Sequence, residues 1–260
     1  MKAWSKYHSY GRVACCMTVR NCAPYLPKVF ENIDRLSRLF PQFVVIVAYD
    51  HCSDMSEYLL KWYRLTKGYP IYLLPGSFTS PHRTVRIAAA RNRCIELLEK
   101  LDIDTHFMVD ADDVNQNPWN LTLIKYYLSR KDWDCLSFNR EPYYDIWALM
   151  YPPFHHHCWG FRERSRDVVK YIQADIQKKL QKVELFECDS AFNGFAIYRS
   201  NVFQGVRYSG WAKDLPFIKE SRQNPFPFHV EFDDNFPESC EHLYYHLTSK
   251  ARIRISGYSI

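Results

Sequence analysis

Thr105-His106-Phe107-Met108-Val109-Asp110-Ala111-Asp112-Asp113 decides the fold. Residues 105–109 form a short apolar run, which suits a buried strand. The run closes on three carboxylates. The same design recurs toward the N-terminus. Val13–Val19 (VACCMTV) leads into Arg20-Asn21-Cys22-Ala23-Pro24, and residues 43–48 (FVVIVA) lead into Tyr49-Asp50-His51-Cys52-Ser53-Asp54. A shorter strand is predicted at 71–74. Between these runs the apolar spacing is helical. Tyr25, Leu26, Val29, Phe30, Ile33, Leu36, Leu39 and Phe40 form one face. Helices are also predicted at 56–66 and at 84–101, where Ile87, Ala90, Cys94, Leu97 and Leu98 share a side. Strand and helix alternate through the first 115 residues, which implies a parallel sheet with right-handed crossovers. Ligands in such sheets sit outside the carboxyl ends of the strands. The polar clusters at 18–21, 50–54 and 110–113 all fall at those ends.

Beyond residue 115 the pattern loosens. A helix is predicted at 121–128 and a strand at 135–138. Residues 141–161, rich in Pro, Tyr, Trp and His, read as irregular. A charged amphipathic helix is expected at 166–183 and a strand at 192–198. A proline- and aromatic-rich loop follows at 209–237, then a short element at 240–247 and a last strand at 251–255. The expected fold class is therefore α/β, a Rossmann-like, mostly parallel central sheet flanked by helices, with a C-terminal elaboration.

Composition excludes several classes. The 260 residues include only eight glycines, against a glycine-rich phosphate loop or a collagen-like chain. The formal net charge of +5 is scattered rather than gathered in a stripe, so no nucleic-acid partner is expected. Nine cysteines, an odd number with no C-x-x-C pair, read as free thiols in a reducing compartment. Residues 1–12 lack the apolar core of a signal peptide, and no run approaches the roughly 18 apolar residues of a membrane span. A cytoplasmic location follows as the expectation.

The chemistry concentrates at the strand ends. Carboxylates as close as Asp110, Asp112 and Asp113 repel one another unless a cation neutralises them. Hard oxygen donors suit Mn²⁺ or Mg²⁺, ions that also bind substrate phosphates. A solvated acidic turn explains the same residues more plainly. Asp50 is placed to accept hydrogen bonds from a base or ribose, or to serve as a turn aspartate. Arg83, Arg86 and Arg91 offer planar donors to phosphate or base, or form a solvated helix face. His155-His156-His157-Cys158 lacks the spacing of a zinc site.

The helix Arg86-Ile87-Ala88-Ala89-Ala90-Arg91-Asn92-Arg93, followed by the strand ending in Asp110-Ala111-Asp112-Asp113, resembles the core of GT-A-fold glycosyltransferases. More narrowly it is similar to family 2-like enzymes, with their ARN helix and DxDD strand end. Tyr143-Tyr144-Asp145-Ile146-Trp147, Phe192-Asn193-Gly194-Phe195-Ala196-Ile197-Tyr198 and Cys240-Glu241-His242 resemble a subgroup found in large DNA viruses and capsule-building organisms. The resemblance spans about residues 12–255. It implies one GT-A-like unit over 1–260, with a nucleotide-sugar-binding half at 12–115 and an acceptor-binding half at 116–260. A viral source would make the cytoplasm that of a host.

The resemblance also implies roles. Thr18, Arg20, Asn21, Asp50, Arg86, Arg91 and Asp110 would bind a nucleoside-diphosphate sugar, UDP-linked by analogy. Asp112 and His242 would hold Mn²⁺ or Mg²⁺. Glu241 would be the base acting on the acceptor hydroxyl, with Asp145 and Asp189 as rivals, because Glu241-His242 stands where the family carries a Glu-Asp pair. Tyr144, Trp147 and Asn193 would meet the glycan acceptor. Two other functions remain open at the sequence level: a metal-dependent phosphoesterase or nuclease built on the same carboxylates, and a non-catalytic carbohydrate-binding module.

Overall fold

Burial of four short apolar runs side by side builds the sheet. A computed structural model describes residues 11–161, 165–216, 224–233 and 235–260. The stretch read for a leader therefore lies almost wholly outside the described residues. So do positions 217–223 and 234 of the predicted long loop.

Strands β1 (Val13–Val19), β2 (Phe43–Tyr49), β3 (Ile71–Pro75) and β4 (Thr105–Asp110) run parallel, as the alternation predicts. Helices α1 (Leu26–Ser37), α2 (Ser56–Thr66) and α3 (Arg83–Leu101) connect them. Beyond them come α4 (Leu121–Leu128), β5 (Cys135–Asn139), α5 (Ser165–Leu180), β6 (Leu185–Cys188), β7 (Phe195–Arg199), α6 (Glu241–Ser249) and β8 (Ile253–Ser259). All eight strands form one sheet in the order β3-β2-β1-β4-β7-β5-β8-β6. β7 is antiparallel to both β4 and β5, and β6 is antiparallel to β8.

The sheet divides the core in two. Val13, Cys15 and Met17 of β1 point into one cluster with Leu26, Phe30 and Ile33 of α1 and Leu60 of α2. Ala14 and Cys16 point into the other, with Ala88 and Cys94 of α3, Ile172 of α5 and Tyr245 of α6. This alternation is the two-residue period of a strand buried on both faces. The crossovers through α1 and α2 move one way from β1, and the crossover through α3 returns past it. Adjacent connections thus leave β1 and β4 on opposite faces, which opens a crevice at their carboxyl ends.

The second half departs from the sequence reading at several points. β6 was not expected; it is a four-residue edge strand with Glu187 exposed, too short to show a period. The strand predicted from 192 begins at Phe195, because Asn193 and Gly194 both take positive φ and turn the chain first. The element near 240 is a helix. The final strand starts two residues later than predicted and runs to Ser259. All nine cysteines are free. Among the described residues no helix is long and apolar enough to cross a membrane.

Candidate functional site

Parallel register sets the site. Thr18 lies abreast of Ala48 and Asp110, so the residues that follow β1, β2 and β4 emerge together. They line a cleft of about 850 Å³. Thr18, Arg20, Asn21, Asp50, Arg86, Arg91, Asp110, Asp112, Tyr144, Asp145, Trp147, Glu241 and His242 all border it. Thirteen residues from six separate stretches of sequence therefore share one cavity.

The loops that form its rim are cross-tied. Asn21, at φ 55°, accepts a hydrogen bond from Ser53 N at 2.8 Å, joining the ends of β1 and β2. Asparagine tolerates this left-handed conformation better than most side chains. Asp54 accepts from Ala23 N and Ser56 N, each at 2.9 Å. Asp50 lies 3.4 Å from the Arg20 guanidinium and accepts from His51 N at 2.8 Å.

The floor is a buried ion network. Arg91, 3% exposed, projects from α3. Its Nη2 donates to Asp110 Oδ1 at 3.0 Å and its Nε to Glu241 Oε1 at 2.9 Å. Phe192 and Tyr208 flank the guanidinium, with ring centroids 4.8 and 5.9 Å away. Asn92 exchanges hydrogen bonds with the backbone of Tyr208, so the Arg91-Asn92 pair faces inward. Arg91 thus reaches the cleft as part of its floor, with two of its nitrogens already engaged by carboxylates. Arg86 donates to the carbonyls of Ser80 and Pro81.

Asp112 follows β4 and accepts weakly from Val114 N at 3.3 Å. Burial, reinforced by the Asp110 and Asp113 carboxylates, pushes its own carboxyl up to about 6. Asp145 is pushed up further, to about 7, by burial first and then by Asp110 and Glu241. Its backbone N and that of Tyr144 both donate to Asn193 Oδ1, at 2.9 and 3.0 Å. Its own Oδ1 accepts from Ala148 N at 3.1 Å. His242 is buried and stacks on Phe192 with centroids 3.9 Å apart. Burial and the Arg91 charge hold it well below its ordinary pKa, so the ring is neutral. Its Nε2 has no hydrogen-bond partner among the described residues and lies 3.8 Å from Glu241 Oε1.

Two predicted residues do not border the cleft. Asp189, expected as a rival base, pairs with His155 at 3.1 Å and is not among the residues that line the cleft. Asn193, predicted to meet acceptor, is 1% exposed, and both polar atoms of its side chain are bonded internally. It turns the chain and holds the 144–145 loop instead. Among the described residues no three His, Cys, Asp or Glu side chains gather where one ion would bind them all.

The site also contains residues that the sequence reading passed over. Arg140 donates to Asn193 O at 3.0 Å and Asn115 Oδ1 at 2.9 Å, and lies within the field of Asp110 and Asp112. Tyr25 and Phe78 line the same cleft. Only their place in the fold marks them; nothing in their local sequence does.

The chain is similar to S. aureus TarS 1–349. That structure shares 12% identity with a TM-score of 0.49, over 96% of this chain and 60% of that one. A second likeness is glucosyl-3-phosphoglycerate synthase from Mycobacterium tuberculosis in complex with Mn²⁺, uridine-diphosphate and phosphoglyceric acid. It shows 13% identity and a TM-score of 0.44, covering 75% of this chain and 58% of that one. TarS 1–349 in complex with UDP-GlcNAc matches at 11% identity and a TM-score of 0.48, over 95% of this chain and 56% of that one. The chain spans about 60% or less of the length of these structures. No family model matches it, and no curated protein matches it in sequence.

Proposed function

We propose that this chain is a glycosyltransferase that moves a sugar from a nucleoside-diphosphate donor, UDP-linked as first choice, to a hydroxyl of a glycan acceptor. One observation carries the reading: two parallel strands, β2 and β4, deliver Asp50, Asp110 and Asp112 to a single cleft, where the Asp112 carboxyl is pushed up to about 6. A carboxylate that resists ionisation beside two others fits a divalent cation, Mn²⁺ or Mg²⁺. The neutral His242 ring with its orphaned Nε2 fits as a second donor. Asp112 and His242 would hold the ion, which when bound stabilises negative charge on the departing diphosphate.

The remaining work falls to the chain itself. Asp50 accepts from the nucleobase, with Thr18, Arg20 and Asn21 along the same wall. Asp110 faces the ribose, held in place by Arg91, and Arg86 supports the pocket from α3. Asp145 takes the proton from the acceptor hydroxyl, because a carboxyl near 7 is matched to neutral proton transfer. Glu241 positions Arg91 rather than reaching the acceptor, since Arg91 already holds its Oε1. Tyr144 and Trp147 offer aromatic faces to the apolar side of a sugar. Residues 12–115 thus serve the donor, and residues 116–260 the acceptor.

A thermal-shift panel tests the reading. UDP, GDP, CDP and common sugar nucleotides would each be added with Mn²⁺ and with EDTA. Stabilisation by one nucleotide only in the presence of metal is the expected result. No shift with any nucleotide, or hydrolysis of a generic phosphodiester in its place, would sink it.

A further inference from the structure

Helix α2 is apolar on two opposite sides. Ser56, Leu60 and Tyr63 are buried against the sheet. Met55, Tyr58, Trp62 and Leu65, spaced by three, four and three residues, are 58%, 62%, 47% and 80% exposed. At 3.6 residues per turn the centre of this second stripe lies roughly 150° around the axis from the buried trio. A helix packed on a soluble core carries polar residues at that position. Here four large apolar side chains stand together in water.

The flanking charges indicate what covers them. Lys61 borders the stripe, Arg64 lies farther round the helix on the same side, and both are exposed. The acid on this helix, Glu57, is paired with Lys61 at 2.7 Å. Arg64 has neither hydrogen bond nor ion pair among the described residues, which leaves net positive charge beside the apolar surface. Trp and Tyr, apolar in body and polar at the tip, are the residues that settle at a lipid–water boundary. Leucine and methionine beside them, with basic residues at the margin, complete the pattern of a helix lying in a membrane interface. The chain's net charge of +5 acts in the same direction toward an anionic lipid surface.

We propose that α2 docks this protein on an anionic membrane surface, with Met55, Tyr58, Trp62 and Leu65 among the upper acyl chains, Lys61 at the headgroups and Arg64, farther round the helix, adding positive charge behind it. The helix begins six residues after Asp50, so docking holds the rim of the cleft beside the lipid. The proposal rests on surface chemistry and is independent of the transferase reading.

Co-sedimentation of the full chain with phosphatidylcholine vesicles, with and without about a third phosphatidylserine, tests it. Binding to the anionic vesicles is expected, weakening in high salt. Trp62→Ser with Leu65→Ser should weaken it on the order of tenfold or more, and Arg64→Glu several-fold. Any nucleotide-plus-metal thermal shift should survive in these variants, which lie outside the cleft. Arg64→Glu keeps the test decisive if the double variant folds poorly by circular dichroism. Absence of binding, equal binding to neutral vesicles, or binding indifferent to all three substitutions would overturn it. So would a dimer, seen by light scattering, that the Trp62 and Leu65 substitutions dissolve, since the stripe would then belong to a second copy.

Discussion

Asp145 and Asp112 are both carboxyls held above their ordinary range, and each makes a separate prediction. As a base, Asp145 works ionised, so transfer should rise with pH and level off above about 7. Asp145→Asn should abolish transfer while leaving the donor-dependent thermal shift in place. If the acid limb of the pH–rate profile survives that substitution, the base lies elsewhere. For Asp112 the sign runs through folding. Its folded value of about 6 exceeds the unfolded value, so its contribution to stability is full below about 4 and is lost as pH rises through 6. Asp112→Asn should therefore be more stable than the parent in EDTA at pH 7.5, by on the order of 1–3 kcal/mol, with the gap closing toward pH 4. Urea unfolding across pH measures it. Arg91 makes the opposite case. Arg91→Ala leaves the buried Glu241 and the half-buried Asp110 without their guanidinium and should cost about 3–5 kcal/mol. The sequence marked Arg91 as an arginine near a nucleotide pocket. Its role in the floor was illegible, because its partners lie 19 and 150 residues away.

At the scale of elements, α3 has no cap from its own N-cap side chain and is capped from a distance. The cap comes from Glu238, in the loop that leads into α6. Its carboxylate accepts from Thr84 N at 3.0 Å, from Thr84 Oγ1 at 2.9 Å, and meets His82 Nδ1 at 3.1 Å. Negative charge at a helix N-terminus is favourable, so this contact ties the 209–240 loop to the helix that carries Arg86 and Arg91. Glu238→Ala should lower stability by about 0.5–2 kcal/mol and raise the donor KM more than it lowers kcat. Gly210 closes the same junction: a Cβ there would lie 2.4 Å from the backbone of Thr84. Gly210→Ala should cost about 1–3 kcal/mol by urea denaturation, as overpacking does. The helices themselves were legible, since 56–66 and 121–128 were read to the residue from their apolar spacing. The contact of the 209–240 loop with the start of α3 was not, because capping in trans leaves no local pattern.

For the whole molecule, one sheet joins what the sequence reading divides. β4 borders β7 through register pairs from Thr105–Arg199 to Val109–Phe195, so the last parallel strand of the first half is covered by a strand of the second. Asp110 N also donates to Gly194 O at 2.9 Å, which places the end of β4 through a residue 84 positions later. A fragment of residues 11–115 would expose the β4 edge and leave Arg91 without Glu241. It should fail to give a cooperative unfolding transition and should aggregate on size exclusion, as unprotected edges do. A monomeric, cooperatively folded fragment would show that the two halves are independent.

Sequence alone determined the alternation of strand and helix to residue 115, the parallel sheet and the edge where its polar residues gather. Those follow from local periodicity and from the handedness of crossovers, which need no distant partner. Only the tertiary structure decided that Arg91 bridges Asp110 to Glu241, that Asn193 turns the chain beneath Asp145, and that Asp189 lies outside the cleft. The physical reason is separation along the chain. Each of these roles depends on which buried groups meet across the fold, and on how far burial shifts their charge. Neither quantity is written in the residues adjacent to them.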